Sequence, residues 1–242
     1  MTGTRHYKGV PFDLVIFDCD GVLVDSEGIA SRVLARELTA LGHALSAEEC
    51  LRRFTGMSLP SIFQSVEKDW GRPLPVDFAE RLRRADDAAF AAELTEVAGA
   101  KQLLSRLSLK KCVASSGSLE KTRANLGRVG LLEFLEPHLF SAAMVDRGKP
   151  APDLFLFAAG RMGAVPHRSI VIEDSEAGVE AGRAAGMFVA GFAGASHCST
   201  GYGDRLRARG ADVVVSRLED VGELLAFAIS TERRANGGSA ET

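Results

Sequence analysis

No uninterrupted apolar run in this 242-residue sequence approaches the roughly 18 residues that a membrane-spanning helix needs. The N-terminal stretch MTGTRHYKGV also lacks the apolar centre of a signal peptide. A cytoplasmic protein with no membrane partner is therefore expected. Cysteine is scarce: Cys19, Cys50, Cys112 and Cys198 are scattered, with no C-x-x-C pair and no Cys/His cluster. This argues against a disulfide framework, a zinc site or a redox centre and leaves four free thiols. Neither sign of charge dominates, and a net charge of −3 gives no electrostatic case for nucleic acid as a partner. No internal repeat of solenoid length is present. What remains is an ordinary globular composition, 46% apolar and 25% charged. The length suits one domain, or one domain carrying a smaller insertion.

Short β-rich runs recur at DLVIFD (13–18), KKCVAS (110–115), SIVIED (169–174), MFVAGF (187–192) and ADVVVS (211–216). They are nearly continuous apolar segments, as strands of a parallel sheet buried on both faces are. The segments 99–107, 118–129, 152–162, 176–185 and 218–228 between and after them have helical length and period. The alternation predicts an α/β fold with a doubly wound parallel sheet. Residues 28–94 break the rhythm, because they contain helical material and no convincing strand. In ASRVLARELTAL, for example, Ala30, Leu34, Leu38 and Leu41 share one face. Gly56, Gly71, Pro73 and Pro75 punctuate the block. The expected organisation is a core of residues 1–26 and 95–230, a helical insertion over 27–94 with linkers near 25–27 and 94–98, and a frayed polar tail at 231–242.

Ligands of open parallel sheets bind where loops leave the carboxyl ends of the strands. Polar residues stand there: Asp18 and Asp20 after LVIF, Ser115 and Ser116 after CVA, Glu173 and Asp174 after IVI. Lys149, in DRGKPAPDLF, precedes a helix-entry pattern, with Pro150 and Pro152 expected to hold the chain extended. Carboxylates gathered at one sheet edge repel one another unless a cation sits among them. All the candidate ligands are oxygen donors, which favours Mg²⁺ over zinc or copper. Mg²⁺ commonly arrives with phosphate, for which Lys149 and the Ser115 hydroxyl are apt partners. The combination points to phosphoryl transfer, with Asp18 as nucleophile and Asp20 as general acid and base. Gly21 allows the sharp turn that follows them. A calcium-binding loop does not fit DCDGVLVDSEGI, since Val22, Leu23 and Ile29 stand where that loop needs a ligand, a glycine and a glutamate.

The set DCDGVLVDSE, CVASSGS, RGKPAPDLF and VIEDSEAG resembles the four motifs of the haloacid dehalogenase superfamily, in order and at ordinary spacing, over about residues 13–190. The block after the first motif resembles the helical cap of its phosphatase and β-phosphoglucomutase branch. The resemblance implies a Rossmann-like core with a cap that opens and closes. It also implies Mg²⁺ held by the Asp18 side chain, the Asp20 backbone carbonyl and Asp174, with Glu173 in or beside the ligand set, and phosphate held by Ser115 and Lys149. Ser116 is a further candidate contact. TGMS (55–58) resembles the cap's specificity loop, which makes Gly56 and Ser58 candidates as well.

The expected activity is Mg²⁺-dependent hydrolysis of a small phosphorylated metabolite, a sugar phosphate or a relative of one, by a monomer or weak homodimer. A phosphomutase of the same branch is disfavoured, because Ala30 and Leu59 stand where such enzymes carry a histidine and an arginine. A dehalogenase would lack Asp20, and a phosphonatase would need a cap lysine, for which only Lys68 is available. A metabolite-binding regulator without turnover is the rival from another class. Gly178, Gly182 and Gly186 are read as packing glycines of one helix, Gly186 also as its C-cap. His197, in the glycine-rich GASHCSTGYG (194–203), either lines the cleft or belongs to a plain surface loop.

Overall fold

Six apolar segments pair into one parallel sheet in the computed structural model, which describes residues 12–226. The strands are β1 (Leu14–Phe17), β2 (Lys110–Ser115), β3 (Leu139–Ser141), β4 (Ser169–Glu173), β5 (Phe188–Phe192) and β6 (Val213–Val215). Their order is β3-β2-β1-β4-β5-β6, so the chain winds outward in both directions from β1. This is the doubly wound, Rossmann-like α/β fold that the strand pattern anticipates. Both faces of the central strand are covered, and alternate residues serve the two sides. Val15 and Phe17 pack with Leu104, Leu126 and Leu218, whereas Leu14 and Ile16 pack with Leu154, Phe155 and Val179.

Around the sheet run α5 (Ala100–Arg106), α6 (Leu119–Arg128), α7 (Asp153–Arg161), α8 (Glu176–Ala184), α9 (Tyr202–Ala208) and a helix α10 that occupies 218–226 of the described residues. Strand β3 was legible only as an apolar stretch. Helix α9 was not anticipated: its seven residues include Gly203, and two buried side chains, Tyr202 and Leu206, are all that mark its inner face. Pro152 takes a helical conformation (φ −75°, ψ −9°) at the entry to α7, a correction to the extended chain expected there. The expected tail at 231–242, residues 1–11 and the last two residues of the helical segment expected over 218–228 lie outside the described residues.

Between β1 and α5 the chain forms α1 (Glu27–Ala40), α2 (Ala47–Phe54), α3 (Leu59–Trp70) and α4 (Phe78–Glu93) and no strand. Ser46 starts α2 with a reciprocal capping box: Glu49 N donates to Ser46 Oγ at 3.1 Å and Ser46 N to Glu49 Oε2 at 2.8 Å. These helices bury a core of their own, built from Leu34, Leu38, Cys50, Phe54, Ile62, Val66, Phe78 and Leu82. The buried face of α1 is wider than expected, since Ile29, Val33 and Ala35 join Leu34 and Leu38. The two connections to the sheet run side by side and antiparallel. Asp25 N donates to Thr95 O at 3.0 Å and Val97 N to Leu23 O at 2.9 Å.

Candidate active site

Register places the chemistry. Phe17 is level with Val113 on one side and Ile172 on the other, so Asp18, Ser115 and Glu173 all emerge at the carboxyl edge beside β1. Asp18 N donates to Ile172 O at 2.9 Å, which carries the β1–β4 pairing one residue past the strand. The next turn is sharp: Leu23 and Val24 both donate to Cys19 O, and Gly21 has φ +81°. A Cβ at Gly21 would overlap the carboxylate of Asp174, so only glycine lets this turn approach β4 so closely.

Asp18, Glu173 and Asp174 are buried, and each offers a carboxylate oxygen within 4.8 Å of the others. Lys149 enters the same group. Its Nζ lies 2.5 Å from Asp18 Oδ1 and 2.7 Å from Glu173 Oε2, with only 1% of its side chain exposed. Burial lowers the pKa of such an ammonium, but the Asp18 and Glu173 charges outweigh it and hold the Lys149 pKa above its ordinary value. Burial, opposed by Lys149 and reinforced by Glu173 and Asp174, pushes the Asp18 pKa up. Burial likewise raises Asp174, to about 6. Three buried acids facing one lysine leave an excess of negative charge that a hard cation would relieve.

The donor chemistry suits such a cation. Every candidate is an oxygen, and Asp174 Oδ2 is buried with no hydrogen-bond donor beside it among the described residues except His197. Glu173 is the most committed of the three: besides Lys149, its Oε1 accepts from Ser175 N at 3.0 Å and Ser175 Oγ at 2.7 Å.

Asp20 stands slightly apart. Its Oδ1 accepts from Ser26 Oγ at 2.6 Å and its Oδ2 from Lys121 Nζ at 3.2 Å. Ser115, 1% exposed, ends β2, and its Oγ accepts from Gly117 N at 3.0 Å. A Cβ on Gly117 would stand 3.3 Å from Ser115 Oγ and 3.6 Å from Asp20 Oδ2, so these two side chains flank the same glycine. Ser116 reaches across to the helical insertion, donating to Gly56 O at 3.1 Å. Gly56, at φ +78°, is pressed against Ser175. Ser58 is engaged elsewhere, at the start of α3, where its Oγ accepts from Ser61 N. Ser118, by contrast, caps α6.

Sequence reasoning missed one member of this group, Lys121, and left a second, His197, open. Lys121 projects from α6 to Asp20, and its Nζ also lies 5.5 Å from the Phe90 ring on α4. Burial lowers its pKa, but the charges of Asp20, Glu27 and Asp86 more than reverse that. His197, left between cleft and surface by the sequence, is buried with Nε2 3.1 Å from Asp174 Oδ2. Lys121 carries no local sequence signal beyond its residue type, and His197 carries only its place in a glycine-rich loop after a strand. A small cavity of about 50 Å³ lies between α1, α3 and α4, lined by Glu27, Ala30, Leu34, Phe54, Leu59 and Asp86 among others.

The chain is similar to known proteins over most of its length. The family model described as haloacid dehalogenase-like hydrolase matches residues 12–186. The 6-phosphogluconate phosphatase of Escherichia coli (strain K12) is 37% identical over 76% of this chain and 84% of its own length. Hexitol phosphatase A of the same organism is 33% identical over 72% of this chain and 80% of its own. A crystal structure of a haloacid dehalogenase-like protein of unknown function from Agrobacterium tumefaciens superposes with a TM-score of 0.77 at 42% identity, covering 89% of this chain and 98% of that one. Strand order, the convergence of Asp18, Lys149, Glu173 and Asp174, and these likenesses agree: the chain belongs to the haloacid dehalogenase-like hydrolases and is a phosphoric monoester hydrolase.

Proposed function

We propose that this hydrolase cleaves a small phosphomonoester, a sugar phosphate or related metabolite, through an aspartyl-phosphate on Asp18, with Mg²⁺ bound among Asp18, Asp174 and the Asp20 carbonyl. The observation that carries the reading is the buried set at the carboxyl edge of β1 and β4, in which Lys149 bridges Asp18 and Glu173. An Asp18 carboxylate oxygen attacks phosphorus as the bond to the leaving oxygen breaks, and Asp20 gives that oxygen its proton. Asp20 then takes a proton from water as the water oxygen attacks phosphorus, breaking the bond to Asp18 and releasing inorganic phosphate. Lys149 and Ser115 hold the non-reacting phosphate oxygens, and Glu173 keeps Lys149 in place. Bound Mg²⁺ would supply positive charge opposite the charge that develops on the transferring group.

The relatives that act on 6-phosphogluconate and hexitol phosphates support a phosphorylated carbohydrate as substrate. The mutase reading is weaker, because Ala30 and Leu59 line the cavity of the helical insertion with apolar surface. The test is phosphate release across a panel of phosphorylated metabolites, with and without EDTA. Turnover is expected on at least one sugar phosphate, lost in EDTA, and lower by a factor on the order of 10⁴ in Asp18→Asn. An Asp18→Asn protein as fast as the wild type would end this mechanism. A silent panel would favour the regulator.

A further inference from the structure

The loop between β5 and α9 places a buried polar side chain for which hydrolysis as described has no role. The His197 side chain is fully enclosed, and its ring is held on three sides. On one side Nε2 lies 3.1 Å from Asp174 Oδ2. On another stands Tyr202, with its hydroxyl 3.3 Å from Nε2 and its ring edge-to-face at 5.3 Å and 85°. The third is the turn after β1, where a Cβ on Gly21 would come within 3.0 Å of His197 Cε1. Cys198 Sγ, 3.6 Å from Nε2, is the remaining polar neighbour.

Asp174 needs such a neighbour. Apart from His197, its buried Oδ2 has no hydrogen-bond donor among the described residues, so no other backbone or side-chain group sets the rotation of this carboxylate. Glu173 is different, since Ser175 and Lys149 fix both of its oxygens. We infer that His197, backed by Tyr202, is a positioning residue for Asp174: the imidazole N–H beside Oδ2 sets the carboxylate's orientation and thereby the affinity of the site for a divalent cation. Partners that orient a metal ligand from outside commonly govern metal affinity in this way. The inference rests on the cation part of the proposed function and not on the identity of the substrate.

The test is calorimetric titration of the substrate-free protein with Mg²⁺ alone, on the wild type and on His197→Met, His197→Asn and His197→Gln, with metal-free melting temperatures as the fold control. Methionine fills the space without an N–H, and asparagine keeps an amide too short to reach Asp174. Glutamine places an amide nitrogen where Nε2 stands. The expected result is Mg²⁺ affinity lower by about 10- to 100-fold in the methionine and asparagine variants and close to wild type in the glutamine variant. Asparagine keeps the test alive should the methionine variant fail to fold. Unchanged affinity in the folded variants lacking the donor overturns the inference. So does an equal loss in the glutamine variant, which would make the ring a packing element only. A wild type that binds no Mg²⁺ removes the cation itself, and phosphate release in EDTA then shows whether hydrolysis falls with it.

Discussion

Asp86 illustrates what burial does to a single side chain in this protein. It lines the small cavity of the helical insertion, and its Oδ1 is enclosed without a hydrogen bond among the described residues. Burial first, then the charge of Asp20, raises its pKa to about 7 against the pull of Lys121. A carboxyl whose folded pKa lies above its unfolded value near 3.8 favours folding fully below that lower value. The contribution is lost as pH rises towards 7. Asp86→Asn, which cannot ionise, should therefore match the wild type near pH 4 and melt higher than it at pH 8, as thermal unfolding across that interval in EDTA will show. The residues of the site divide by how loudly the sequence announces them. Asp18, Asp20, Glu173 and Asp174 follow apolar strands directly, and Lys149 sits in a K-P-x-P setting before a helix. Lys121 and His197 have no such frame: a lysine on an amphipathic helix and a histidine in a glycine-rich loop resemble surface residues until the fold brings them against Asp20 and Asp174.

Elements were legible in proportion to their length and apolar content. The strands β1, β2, β4 and β5 are nearly pure hydrophobic runs, and parallel pairing within a covered sheet is the arrangement that buries both faces of such runs. β3 and α9 are too short for periodicity to stand out, so their existence depends on the surface they cover. The glycines of α8 separate the two kinds of information. Gly182 lets the helix approach Val171 and Val189 closely, as its spacing suggested, whereas Gly186 meets nothing within 4 Å and instead supplies the left-handed turn (φ +73°) after the helix. Gly178 is the most constrained of the three, because a Cβ there would overlap the Glu173 side chain that holds Lys149. Gly178→Ala should cost about 1–3 kcal/mol in urea unfolding, since Glu173 is buried and bonded on both oxygens and has nowhere to yield. A cost within experimental error would mean that Glu173 moves freely.

At the scale of the molecule, the helical insertion meets the sheet domain through a few contacts around the candidate site. Ser116 donates to Gly56 O, Gly56 lies against Ser175, and Lys121 stands between Asp20 and Phe90. Among the described residues the paired linkers are the only covalent connections, two antiparallel ribbons side by side. Gly56→Ala would meet Ser175 while also forcing a left-handed backbone on alanine, so the insertion should stand off from the sheet. Turnover lower by about tenfold, with a larger radius of gyration in small-angle scattering and a melting temperature lower by about 2–4 °C, is the expected result. Wild-type turnover in this variant would show that this contact plays no part in closing the site. Among the described residues no helix is long and apolar enough to cross a membrane.

The alternation of strands and helices, the helical block after β1 and the acids at the strand ends are all readable from residue order, because each depends on side chains adjacent in the chain or on one apolar period. The tertiary structure alone decided that Lys149 bridges Asp18 to Glu173, that Lys121 faces Asp20, and that His197 stands against Asp174. The physical reason is distance along the chain. Burial, charge neutralisation and close approach arise between segments separated by many residues, and no local pattern encodes which of them will meet.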